Sequence, residues 1–211
     1  MIVKGTPRSY SSPARAAAAD ETRARILVAA RTLLGDGKGL PPFSLDGVAK
    51  QAGVTRLTVY NQFESKRGLL EAVFDAVAEE GGLTELPSVF AEPDIDVALR
   101  RFVSVFCRFW SGHGSVGPLM PRFGALAKLD PETAASLRLR TERRRQSLTV
   151  LVKRLLPDAP KPNAELVDVL FALTGFELFE ALSARNRSAA AVEVLVQELV
   201  AQTVARYRGG K

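Results

Sequence analysis

Cysteine and histidine occur once each in the 211 residues, as Cys107 and His113. One cysteine excludes an intrachain disulfide and suits a reducing compartment. Cys107 lies in an apolar run at helical spacing and reads as a small core residue rather than a redox sensor. With one histidine, a zinc cluster, a Ser-His-Asp triad or a Cys-His pair would each have to pass through His113. That residue sits in a glycine-rich break at 111–115, which suits a loop or a pocket rim. The chain has no Gly-x-x-x-x-Gly-Lys phosphate loop, no Gly-x-Gly-x-x-Gly after a strand, and no strand-like alternation of useful length. No apolar window reaches bilayer-spanning length, and the Ala run at 16–19 is too short for a signal peptide. The sequon at 186–188 is a pattern common by chance. The expectation is a non-enzymatic, cytoplasmic protein without catalytic residues, metal or cofactor, and with no membrane partner.

What is present is helical. The net charge of +6 is unevenly spread: residues 1–70 hold 11 Lys and Arg against 5 Asp and Glu, so the whole excess accumulates there. Within that basic third, residues 43–70 read as two short helices joined by a tight turn, with another helix after them. Ser44 is placed to cap the first, and Leu45, Val48, Ala49 and Ala52 recur at helical spacing. Gly53 supplies the left-handed residue that ends it. Thr55 is placed to cap the second helix, 56–62, in which Val59 and Phe63 stand one turn apart and bury together. Leu57, Thr58, Tyr60 and Asn61 fall on or near the other side, and Ser65 caps the helix that follows. One apolar face, a glycine turn and a second helix showing short polar side chains meet the physical needs of a helix-turn-helix; a plain helical hairpin shares the first two.

These residues also resemble a family. An Ala-rich first helix (26–34), Ala52-Gly53-Val54, Val59-Tyr60-Asn61-Gln62-Phe63, Ser65-Lys66 and an apolar helix over 69–77 are similar to the N-terminal pattern of TetR-type transcriptional regulators. The resemblance covers roughly residues 20–80. It departs at Gly68, where an acidic residue is common in the family. The resemblance implies an all-α chain with an N-terminal helix-turn-helix DNA-binding domain and a C-terminal helical ligand-binding and dimerisation domain. The expected division is a flexible basic arm at 1–19, the DNA-binding domain at 20–80, and the effector and dimer domain at 81–211.

Beyond residue 80, the segment 81–93 reads as a loop. A helix over 94–112 is apolar nearly all round and should be buried. The prolines at 118 and 121 predict an irregular or kinked helix over 116–129. Asp130-Pro131 starts a helix to about 156 whose Arg138, Arg140, Arg143, Arg144 and Arg145 form either a solvated face or an anion or partner contact. Two helices, 164–185 and 189–208, close the chain. Phe102, Phe106, Phe109, Trp110, Met120, Phe123 and Phe176, with Glu177 as a polar anchor, are candidate lining of an apolar pocket, against the alternative of plain core. Phe179, Val192, Leu195, Val196, Leu199 and Val200 are apolar positions that fill the core or meet a second copy in a four-helix bundle. The resemblance implies the second.

The functional expectation follows from the family. A homodimer binds a near-palindromic double-stranded DNA operator and is released from it by a small, apolar effector. Thr55, Arg56, Leu57 and Thr58 would meet base edges, and Ser44, Tyr60, Asn61 and Lys66 would meet phosphates. The competing readings are a helix-turn-helix module that organises DNA or meets a protein without a small ligand, and an all-helical enzyme working through His113 or the Glu177/Glu180 pair.

Overall fold

The computed structural model describes residues 13–35, 43–111 and 119–209, and every regular element among them is helical. The chain divides into two units, Met1–Ala72 and Val73–Lys211.

The first unit holds α1 (Pro13–Gly35), α2 (Leu45–Ala52), α3 (Arg56–Phe63) and the opening turns of α4 (Lys66–Glu80). Each short helix starts on a hydroxyl cap. Ser44 accepts the Gly47 N–H at 3.1 Å, Thr55 accepts the Thr58 N–H at 3.1 Å, and Ser65 accepts the Gly68 N–H at 2.9 Å. Gly53 ends α2 at φ 65°, its N–H bonding Lys50 O while the Val54 N–H bonds Ala49 O. This is the Schellman closure, and it turns the chain sharply into α3. Ile26, Ala30, Val48, Ala49, Val59 and Phe63 are buried, as α1 packs on α2 and α2 on α3. Full burial of each large apolar side chain contributes about 1.5–3 kcal/mol. Arg23 ties α1 to the end of α3: its Nη1 donates to Gln62 O at 3.0 Å and its guanidinium lies 4.4 Å from the centre of the Phe63 ring. The Gln62 carbonyl belongs to the last turn of α3, so the arginine satisfies a group the helix cannot.

In the second unit, α4 is followed by a 3-10 turn (Leu83–Glu85), α5 (Leu86–Ala91), α6 (Ile95–Ser111), α7 (Leu119–Leu129), α8 (Pro131–Leu155), α9 (Ala164–Leu173), α10 (Phe176–Ser183) and α11 (Ala189–Gly209). Helix α6 is the hub, in contact with α5, α8, α10 and α11. Nine of its residues are buried, Phe102 and Phe109 among the most completely, which is what its apolar sequence requires. Asp130 accepts the Thr133 N–H at 3.0 Å with Pro131 at the first turn of α8, and Asn163 accepts the Leu166 N–H at 3.0 Å to start α9. Pro121 falls in the opening turn of α7, where no intrahelical N–H is needed, so that helix runs without a break.

Three expectations change. The helix read as 164–185 is two helices, because the chain breaks at Thr174 and Gly175. The segment 81–93 is not a loop throughout: it folds into the 3-10 turn and α5, with Pro87 in the first turn of α5. Residues 13–19 are the helical start of α1 rather than an arm, with 14–19 exposed, since alanine has the highest helix propensity. Residues 1–12 of the expected arm lie outside the described residues, as do residues 36–42, His113 and Pro118.

Candidate nucleic-acid interface and internal cavity

Helix α3 buries Val59 and Phe63 and shows the rest of its residues to solvent. Leu57 is 66% exposed and Tyr60 54%, unusual values for large side chains on an eight-residue helix, and such exposure marks a contact surface. Asn61 is exposed beside them. Arg56, also on the outer side, lies 3.4 Å from the Asp46 carboxylate in the first turn of α2, with both side chains about two-thirds exposed. A pair that open to solvent contributes little to stability, so Arg56 can leave it at small cost. Thr55 and Thr58 share a hydroxyl–hydroxyl hydrogen bond of 2.8 Å at the start of the helix. Lys66, half-exposed, begins α4. Ser44 is a cap whose hydroxyl is occupied by Gly47. Thus all eight predicted contact residues belong to two helix starts and one exposed helix face of a single unit. Asp46 was not among them; it stands in the first turn of α2, seven residues before the turn glycine, and faces Arg56.

The second unit contains a cavity of about 720 Å³, lined wholly by residues between Phe74 and Glu177. That volume is in the range of small-molecule sites. Of the predicted lining, Phe106, Phe109, Trp110, Met120, Phe176 and Glu177 are in the wall. Phe102 and Phe123 are not: they are 0% and 2% exposed and fill the core, because their side of α6 and of α7 faces neighbouring helices. The second half of α4 contributes Phe74, Asp75, Ala78 and Glu79, and α8 contributes Leu137, Arg140, Thr141, Arg143, Arg144 and Ser147.

The arginines of α8 therefore divide. Arg140 is only 17% exposed, pairs with Asp75 at 2.7 Å and stacks 4.3 Å above the Phe74 ring. Arg144 lies 3.8 Å from the centre of Phe171, and its Nη1 donates to Phe171 O at 2.8 Å and to Thr174 Oγ1 at 3.0 Å. Burial pushes this guanidinium down to about 10, opposed by the charge of Glu177. Arg138 and Arg143 are exposed, Arg143 at the cavity wall, while Arg145 pairs with Asp168 and stacks on Phe171. A sequence-level hint existed: residues 140 and 144 are one turn apart and share a face with Leu137, Leu148 and Leu151.

The helix break explains the rest of the wall. Ending α9 at Leu173 strands the carbonyls of its last turn. Thr174 N–H returns to Leu170 O, Gly175 N–H to Ala172 O, and Arg144 takes Phe171 O. Trp110 Nε1 donates to the buried Thr174 O, which the break leaves without a helical partner, at 3.0 Å. Every buried polar side-chain atom among the described residues has a partner.

The residues expected at a dimer surface separate in the same way. Phe179, Val192, Val196 and Val200 are 7% exposed or less and belong to the protomer's own core, where α11 packs on α6 and α9. Only Leu195, half-buried, and Leu199, 39% exposed, face outward, joined by Val194 at 53%. The spacing of three and four marked one apolar stripe, and the interior took it.

The sequence profile described as "Bacterial regulatory proteins, tetR family" matches residues 26–73, which contain α2, α3 and the start of α4. Over residues 26–73 the chain is similar to the DNA-binding segment of the TetR family. Among its relatives, the HTH-type transcriptional regulator EthR of Mycolicibacterium smegmatis is 34% identical over 117 residues, 54% of this chain and 51% of that protein. The chain spans about half the length of the curated relatives it matches. Similar folds include a protein of Syntrophomonas wolfei assigned to the TetR-family regulators, with TM-score 0.70, 14% identity, and 88% of this chain and 96% of that one covered. Another is NalD of Pseudomonas aeruginosa, the secondary repressor of the MexAB-OprM multidrug efflux pump, with TM-score 0.65, 20% identity, and 88% and 96% covered. At these identities the two structures speak for the fold. No helix of the described residues is long and apolar enough to cross a membrane.

Proposed function

We propose that this chain is a cytoplasmic, homodimeric, sequence-specific DNA-binding regulator of the TetR type, a repressor released from a near-palindromic operator by a small effector. The observation that carries the reading is α3: a capped helix after a left-handed glycine turn, held by Val59 and Phe63, that leaves Arg56, Leu57, Tyr60 and Asn61 uncovered. A helix so presented fits the major groove. Arg56 reads a guanine edge after leaving Asp46, Leu57 packs on a thymine methyl, and Thr55 and Thr58 lie at the leading end. Tyr60, Asn61, Lys66 and Ser44 lie against phosphates, Lys66 adding its own charge to the positive end of α4. Binding of an effector in the cavity of the second unit weakens DNA binding, and by linkage DNA weakens the effector to the same degree. Neither the fold nor the relatives call for an enzyme: the relatives are regulators.

The test is selection of bound duplexes from a random pool, then affinity against salt. A near-palindrome and a steep loss of affinity with salt are expected, as phosphate counterions are released. Arg56→Ala should relax preference at one base pair per half-site by about 1–3 kcal/mol. Lys66→Ala should weaken all sequences alike and reduce the salt slope by about 1. Equal losses on every sequence for both variants would remove Arg56 from base reading. Recovery of no motif would favour the DNA-organising alternative.

A further inference from the structure

Charge is not evenly hidden in the cavity wall. Three carboxylates and three guanidiniums line it, Asp75, Glu79 and Glu177 against Arg140, Arg143 and Arg144. Asp75 is already used by Arg140 at 2.7 Å. Glu79 is exposed and keeps its hydration. Glu177 is exposed too and folds back over the start of α10: a Cβ on Gly175 would stand 3.2 Å from its Oε2. There it faces the positive end of its own helix. Arg144 is the exception. It is sunk between the Phe171 ring and, at 5.8 Å, the Phe106 ring, and its hydrogen bonds to Phe171 O and Thr174 Oγ1 go to neutral oxygens. No carboxylate of the described residues pairs with it, although Glu177 acts on it at longer range. A guanidinium removed from water without an ion pair is costly, and an incoming anion restores the missing partner. Arg143, one residue earlier and exposed in the same wall, adds a second positive charge at the entrance.

Resting on the reading of this cavity as an effector site, we infer that its ligand class is an amphipathic organic acid: one carboxylate placed against Arg144, and an apolar body among Phe74, Phe106, Phe109, Trp110 and Phe176. The aromatic wall by itself would also suit a quaternary ammonium, since ring faces attract cations. Two of those rings are already stacked against cations of the protein, Phe74 against Arg140 and Phe106 against Arg144, which leaves less ring surface for a cationic ligand.

The full chain contains one tryptophan, and Trp110 stands in the cavity wall, so its emission reports occupancy directly. Decanoate, decanol and decyltrimethylammonium, titrated below micelle formation, share a tail and differ in head charge. Decanoate should bind about 10- to 100-fold tighter than the other two, the range of a charge-assisted hydrogen bond. Arg144→Met should erase that preference and leave decanol unchanged. Because Arg144 also holds the end of α9, Glu177→Gln provides a second variant that leaves those bonds in place: removing its charge should tighten decanoate and not decanol. Equal affinity for acid and alcohol in the unaltered chain, or tighter binding of the ammonium, overturns the acid while leaving an effector cavity standing. If none of the three moves the Trp110 signal, the cavity reading falls with it.

Discussion

Gly68 is the residue whose importance the family pattern hides. The resemblance suggests an acidic side chain there, and its absence reads as a weakness at the start of α4. The packing there requires glycine: an added Cβ would stand 2.1 Å from Phe63 O, a carbonyl of the preceding helix. Glu64, at φ 62°, folds the chain back so tightly that α4 begins against the end of α3. Gly68→Ala should therefore destabilise the chain by about 1–3 kcal/mol, the usual cost of overpacking, despite alanine's better helix propensity; urea unfolding followed by circular dichroism measures it. Cys107 behaves oppositely, as its sequence suggests. It is 4% exposed, and burial pushes its thiol from an ordinary 9.0 up to about 12, helped by the charge of Glu193. At pH 8 a thiol reagent should leave the native chain unmodified and react with it in urea. The folded thiol holds its proton where the unfolded one releases it. Its contribution to stability is complete below pH 9 and is lost as pH rises toward 12.

Helix starts were legible because they are chemical events of one or two residues: Ser44, Thr55, Ser65, Asp130 and Asn163 all cap where their side chains predict. The break between α9 and α10 was not, because nothing between Leu166 and Phe179 opposes helix strongly enough to outweigh the apolar periodicity. It is stabilised from outside, by Trp110 and Arg144, which reach carbonyls that a continuous helix would have used itself. Long-range partners of this kind leave no local signature. The same reason hid the arginine side of the cavity: a run of five arginines looks solvated until Phe74 and Phe171 arrive from distant parts of the chain. Trp110→Phe keeps the ring and deletes the donor, leaving Thr174 O buried and unpaired. A loss of about 1–3 kcal/mol is expected in chemical denaturation. A loss near zero would mean that the break holds without the indole.

The composition of the whole chain points to its division of labour. All of the net +6 falls in the third that carries α3, and the remainder is neutral overall. The apolar stripe of α11 was readable but its destination was not, since a stripe looks the same whether it meets the protomer or a copy. Four of six predicted positions went inside. What stays outside, Leu195 and Leu199 with Val194, is the part of α11 that a second subunit can meet. Shutting Cys107 away has a practical side here. Its one cysteine is buried, so the folded chain offers no accessible thiol to maleimides or to disulfide formation. Leu199→Cys introduces a single addressable site. If α11 meets its counterpart across a two-fold axis, mild oxidation or a short bis-maleimide should convert the chain to a covalent dimer on a non-reducing gel, and the unaltered chain, treated alike, should stay at the mass of one. A spin label or dye on that same cysteine would then follow the spacing of the two copies as effector and operator compete.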